Sequence, residues 1–345
     1  MAEKKTIIPY KNHLSALEAE GPGRLYLLYG EEDFLRDRYL ERLRAMCLGE
    51  DDSSFNDRRL TGPKLDLNDL REAVDAAPFL SERTFTEIRD VDLASVDAEG
   101  LKKILSDIPD WATLAFVYAP GNTPKGTLSA MKTIKKLGTS VEFTEQSSDS
   151  LQTWVARHFR DQGCRIDAQT ASYFLYVCGS RMNTLLPEIL KVSGHASNGV
   201  VTREDVDAVA RRAPETTVFE MTDAIGARDY NRAASHLADL LADRDETPQR
   251  LLYMLTDQIQ RLYAAKVFAA SGRQEALAEC FPNLAKWDFL RRKLYQTASA
   301  FSTERLARAV SACARCDLAS RSTGGDAQQL LKELLLSLAL DTNDA

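Results

Sequence analysis

The chain has no apolar run long enough to cross a bilayer. The longest, LLKELLLSLAL near the C-terminus, is short and interrupted by charge, so no membrane attachment is expected. Glycine (17) and proline (11) are not enriched, which argues against long disordered linkers. Basic charge is not in excess either. The net charge is −7 and the isoelectric point about 5.4, which excludes a general nucleic-acid coat. The opening residues MAEKKTIIPYKN contain no apolar core of a secretory leader, and the six cysteines are scattered. Both point to a reducing cytoplasm. Only one C-x-x-C is present, Cys313–Cys316, and no second pair stands nearby, so no zinc site and no metal are expected. On a helix these two cysteines share a face with Leu306, Ala309 and Val310 and are expected to be packed. The four histidines have no ligand or triad spacing; His158 sits on an apolar helical stripe. No G-x-S-x-G, H-E-x-x-H or paired-carboxylate motif is present, so no catalytic residue and no cofactor are nominated.

What remains is an ordinary globular composition, 44% hydrophobic and 28% charged, in 345 residues, enough for two or three domains. Charge is uneven: residues 1–150 carry a net −7, residues 151–212 about +2 and the rest −2. A basic patch at Arg291, Arg292 and Lys293 reads as a solvated helix face. Up to residue 145, strand-like runs alternate with helical patterns. Strands are expected at 24–30, 53–62, 83–91, 113–120 and 140–143, and helices at 31–49, 65–77, 97–108 and 127–138. That alternation predicts a parallel sheet flanked by helices. Beyond 145 no strand is expected. QSSDS (146–150) and RRAPET (211–216) read as joints. Asp167 is placed to cap one helix, T-R-E-D (202–205) forms a capping box, and Thr247 with Pro248 opens a long helix. The leucines at 330, 331, 334, 335 and 338 form a stripe suited to a bundle core or to a neighbouring helix.

Two loops compete for attention. In LYLLYGEEDFLRDR (25–38) an apolar run ends at Gly30 and a helix follows, the place of a phosphate loop. The residues after it are Glu31, Glu32 and Asp33, with no second glycine, no lysine and no hydroxyl where a triphosphate needs them. The carboxylates suit the helix dipole. They repel phosphate, each like-charge pair costing about 4 kcal/mol before screening at about 4 Å and an effective dielectric of about 20. The loop thus reads as a nucleotide site without its function. GNTPKGT (121–127) has its lysine before the second glycine and reads as a surface loop. In AAPFLSER (76–83), Pro78 ends a helix and leaves Phe79 and Leu80 adjacent. They either pack under the sheet or protrude as a plug for a partner, and pattern alone favours burial of at least one.

The chain resembles the delta subunit of the bacterial DNA polymerase III clamp loader. The likeness is collinear: LYLLYGEEDFL, APFLSER before a strand, LQTWVARHFRDQGCRID and LYVCGSRMNTLLPEILKVS, ETTVFEMTDAIGARDYNRAASHLADLL, TPQRLLYMLTDQIQRLYAAK, and RRKLYQTASAF with CDLASRSTG. No one segment is diagnostic; their order and spacing together are fairly specific. The resemblance implies an α/β RecA-like (AAA+-type) domain over residues 1–145 without a working phosphate loop, a small helical lid over 146–212 and a helical collar over 213–345. It implies a protein with no catalysis of its own, a component of the DNA-directed DNA polymerase (nucleotidyltransferase) assembly. Such a protein binds and opens the ring-shaped sliding clamp (the beta subunit). The gamma/tau and delta-prime subunits would be its neighbours, gamma/tau would hydrolyse the ATP, and primer–template DNA would lie within the complex. Carried over by position, Phe79 and Leu80 become the clamp-binding plug, flanked by Ala77, Pro78, Ser81 and Arg83. Many members have a second aromatic where Leu80 stands, and Asp, Arg and Lys where this chain reads TPKGTLSAMK. Two other readings are kept open: a degenerate but active phosphate-loop ATPase, and a helical adaptor unrelated to replication.

Overall fold

The computed structural model describes residues 10–49, 55–243, 246–281, 284, 288–322 and 326–339. The chain divides into two compact units. One holds the described residues up to Gln146 together with Arg181–Asn183; the other holds Ser147–Ser180 and the described residues from Thr184 onward.

The first unit begins with a helix that the sequence pattern did not announce, α1 (Tyr10–Glu20). Only Leu17 on it is buried, so its apolar spacing is too thin to read. Then follow β1 (Leu25–Gly30), α2 (Asp33–Leu48), β2 (Asp57–Thr61), α3 (Leu67–Asp75), β3 (Thr84–Arg89), α4 (Ala98–Leu105), β4 (Ala112–Val117), α5 (Ser129–Leu137) and β5 (Thr139–Phe143). The five strands form one parallel sheet in the order β2-β3-β4-β1-β5. Of the expected second strand, positions 53 and 54 lie outside the described residues.

Both faces of this sheet are covered. Leu25, Leu27, Ile88, Leu114 and Phe116 pack with Leu70, Leu101 and Ile134 of the helices on one side. On the other, Tyr39 of α2 meets Tyr26 and Phe143 with ring centroids 6.3 and 5.9 Å apart. The strand expected at 83–91 therefore has no exposed face: Thr84 to Ile88 are all buried, polar residues included. A strand sandwiched between helix layers has no solvent face. Glu87, 0% exposed, is held by the guanidiniums of Arg44, Arg59 and Arg89.

The second unit comprises α6 (Ser148–Asp161), β6 (Arg165–Ile166), α7 (Ala168–Cys178), α8 (Met182–His195, its first residues grouped with the first unit), β7 (Val200–Val201), α9 (Arg203–Val209), α10 (Pro214–Gly226), α11 (Tyr230–Ala242), α12 (Pro248–Ala270), α13 (Ala276–Cys280), α14 (Asp288–Ser299), α15 (Thr303–Ser322) and α16 (Ala327–Ala339). Strands do not vanish after residue 145: β6 and β7 pair in parallel. Two residues each leave no periodicity to detect. The two expected joints are largely helix starts, with Ser147 capping α6 through the Ser150 N–H and Pro214 opening α10. The capping box at Thr202 and Asp205 is formed, as are the caps of Asp167 and Thr247.

The long α12 is central to the second unit and packs against α10, α13, α14, α15 and α16. Leu251, Leu255, Ile259 and Leu262 on it are buried with Cys313, Cys316, Leu331, Leu334 and Leu338. The leucine stripe of α16 is thus mostly core. The expected boundary at 212/213 falls inside this unit. There Thr216 Oγ1 donates to the Tyr176 carbonyl at 2.5 Å, and Lys293 Nζ donates to Tyr176 Oη at 2.9 Å while lying over the Tyr176 and Phe219 rings. Lys293 is therefore no solvated residue, and burial lowers its pKa from the usual lysine value.

Candidate functional site: two loops at opposite edges of the sheet

Because every strand is parallel, the loop after β1 and the loop before β3 leave opposite edges of the sheet. The first lies at the carboxyl edge, beside the switch in strand order between β4 and β5, where open α/β sheets usually bind ligands. The second lies at the amino edge.

At the carboxyl edge, Gly30 has φ +132°, and a Cβ added there would stand 2.3 Å from the Phe143 carbonyl oxygen. Close packing on β5 demands this glycine, whether or not a phosphate is ever bound. The Glu32 N–H donates to the same carbonyl at 3.0 Å. Glu31 is exposed, Asp33 half-buried and Glu32 buried. Burial, with Asp33 beside it, raises the Glu32 carboxyl to about 7. Arg36, 4% exposed, projects from the first turn of α2 and donates from Nη1 to the Tyr118 carbonyl just beyond β4 at 2.9 Å. It also pairs with Asp37. The cation of this loop is thus engaged with the fold's own oxygens, and the surrounding carboxylates offer a phosphate no donor. The 121–127 loop is largely exposed, with Asn122 Nδ2 donating to Asp90 Oδ1 at 3.4 Å. Among the described residues no cluster of His, Cys, Asp or Glu could hold a metal ion.

At the amino edge, α3 stops at Asp75 and the chain turns out through Ala77 and Pro78. Phe79 is 57% exposed and Leu80 80%. The pattern-based expectation that at least one be buried is not met. The buried face of α3 is made by Leu70, Ala73 and Val74, and the turn follows after the helix has ended. Leu80 has φ +55°, a left-handed conformation that costs a non-glycine residue about 1–2 kcal/mol. The turn is bracketed on both sides. Ser81 Oγ donates to the Arg83 carbonyl at 3.1 Å, and Arg83 Nη1 donates to Thr113 Oγ1 at 3.4 Å. On the other side, Asn56 Nδ2 donates to the Phe79 carbonyl at 2.6 Å and Asn56 Oδ1 accepts from the Phe79 N–H at 2.8 Å. The neighbouring Phe55, 72% exposed, has its ring centroid 5.9 Å from that of Phe79. Neither Phe55 nor Asn56 stood out in the sequence. More than twenty positions separate them from Phe79, and only the β2–β3 pairing brings them together.

Comparison with known proteins agrees with this architecture. Residues 215–338 match the family described as DNA polymerase III delta subunit, C-terminal domain. The chain is 22% identical to the DNA polymerase III subunit delta of Bacillus subtilis (strain 168), over 93% of this chain and 94% of that protein. It is 24% identical to the probable DNA polymerase III subunit delta of Aquifex aeolicus (strain VF5), over 91% of each. In fold it is similar to the Bacillus subtilis DNA clamp loader delta protein, with a TM-score of 0.52 and 20% identity over 96% of this chain and 99% of that one. The parallel five-stranded unit has a RecA-like fold, and the rest is mostly helical. Among the described residues no helix is long and apolar enough to cross a membrane. Residues 215–338 thus carry the C-terminal domain of DNA polymerase III delta subunits, and over more than nine-tenths of its length the chain is similar to proteins of that name.

Proposed function

We propose that this protein binds the sliding clamp through Phe79 and Leu80 and holds one interface of the ring open, without hydrolysing ATP itself. The observation that carries this reading is the pair of large apolar side chains presented to solvent on a bracketed turn. The left-handed conformation of Leu80, with its side chain in water, supports this reading. Burying one Phe and one Leu in a preformed pocket contributes about 1.5–3 kcal/mol each. Two such anchors dominate a small interface when the scaffold holds them ready. Opening the ring then needs no chemistry. The tip has only to bind the open form better than the closed one, and that difference in affinity sets how far the equilibrium moves.

The degenerate loop of Gly30, Glu31, Glu32 and Asp33 supports the second half of the proposal. Gamma/tau subunits, which supply ATP hydrolysis, and delta-prime are its partners in this reading, with primer–template DNA within the complex, in the cytoplasm. The division into an AAA+-type domain (1–145), a lid (146–212) and a collar (213–345) belongs to the same reading. It is supported by the small β6–β7 pair, which has no counterpart after Pro214 among the described residues.

The test is binding of the full chain to purified clamp from the same organism. Phe79→Ala with Leu80→Ala should weaken it at least about 100-fold, with the thermal midpoint unchanged. Binding at wild-type strength by the double variant overturns the assignment.

A further inference from the structure

We infer that the clamp-binding tip has a third apolar member, Phe55, and that Asn56 is the positioning residue that holds the tip in its presented shape. This rests on the reading of Phe79 and Leu80 as the clamp plug.

Phe55 sits just ahead of β2 and Phe79 just ahead of β3, on neighbouring strands of one sheet edge. Their rings meet at 59° with centroids 5.9 Å apart, in the tilted contact that aromatic pairs favour. The contact covers little of either ring, since Phe55 stays 72% and Phe79 57% exposed. With Leu80, three large apolar side chains stand together in water at one point of the surface. Such a cluster has the form of an anchor for a concave apolar pocket. Phe55 widens the tip beyond what two consecutive residues can present.

Asn56 behaves oppositely to its neighbour: it is 1% exposed. Its amide satisfies both backbone polar groups of Phe79, at 2.6 and 2.8 Å, as a paired strand would. Its own carbonyl accepts from the Phe85 N–H at 2.7 Å, at the start of β3. One residue thus ties the tip to two strands. If Phe79 turned inward, both amide bonds would be lost. Only a carboxamide offers a donor and an acceptor side by side. Aspartate would keep the acceptor and set a second oxygen against the Phe79 carbonyl. The tip is therefore held extended before any partner arrives, which lowers the ordering cost of binding.

The experiment uses the full chain and the purified sliding clamp, with affinity by calorimetry, thermal midpoint, and hydrogen exchange over residues 76–83. Phe55→Ala should weaken clamp binding about tenfold with unchanged exchange in that segment. Asn56→Ala should weaken it about tenfold or more, with faster exchange at 76–83. Should Asn56→Ala lower the thermal midpoint, Asn56→Asp decides in its place, with the same two readouts expected. Phe79→Ala with Leu80→Ala is run alongside. If that double variant binds at wild-type strength, the plug reading itself fails. If it loses binding while Phe55→Ala stays within twofold of wild type, Phe55 is no part of the tip. If Asn56→Ala, or Asn56→Asp where that decides, keeps wild-type affinity or leaves exchange at 76–83 unchanged, the positioning role is overturned and the plug reading stands.

Discussion

At the scale of single residues, Gly30 and Glu32 separate what a loop looks like from what it does. Gly30 reads in sequence as a phosphate-loop glycine, yet the contact that requires it is the Phe143 backbone. Gly30→Ala should destabilise the chain by at least about 2 kcal/mol in chemical denaturation, since backbone cannot yield as a side chain can. Glu32 makes a pH prediction. Its folded value of about 7 lies above the free value of 4.5, so the fold prefers the protonated form. This contribution to stability is fully present below about 4.5, falls as pH rises toward 7 and is lost above it. Glu32→Gln should therefore gain stability relative to wild type as pH rises from 5 to 8, measured by urea unfolding at each pH. A gap that does not widen would count against the assignment.

At the scale of elements, most strands and helices were legible because their signals are local. Asp66, Asp97 and Thr247 cap helices where the apolar spacing begins. Thr202→Ala should cost about 1 kcal/mol by opening the capping box with Asp205, read from the unfolding midpoint. The misreadings were also physical. β6 and β7 are too short to show a period, and α1 buries too little to show a stripe. β3 conceals a carboxylate among apolar neighbours because three arginines from α2, β2 and β3 itself neutralise it. Glu87→Ala would leave those guanidiniums without their shared acceptor. The expected loss is about 3 kcal/mol, at the low end for broken buried pairs because the arginines reach partly into solvent. Guanidinium denaturation would measure it.

At the scale of the whole molecule, the sheet's parallel topology places the two loops at opposite edges. The carboxyl edge carries the nucleotide-like loop and the amino edge the apolar tip. The isolated chain should thus show no micromolar binding of a fluorescent ATP analogue. In the assembled loader, the Phe79→Ala, Leu80→Ala variant should leave basal ATP hydrolysis by the other subunits in place while clamp loading on primed DNA is lost. Loading at wild-type rate, measured by a primer-dependent replication assay, would contradict the division of labour between the edges.

By itself, the sequence determined the alternating α/β region, the long helices after it, the absence of lysine and hydroxyl after Gly30, and the adjacency of Phe79 and Leu80 beside Pro78. Each is a matter of neighbours along the chain. The exposure of Phe79 and Leu80, the left-handed turn at Leu80 and the grip of Asn56 were decided only in the folded chain, where β2 pairs with β3. Burial depends on what else occupies the core, and a hydrogen bond between residues 56 and 79 has no local trace. For that reason pattern favoured a packed tip where the folded chain holds it in water.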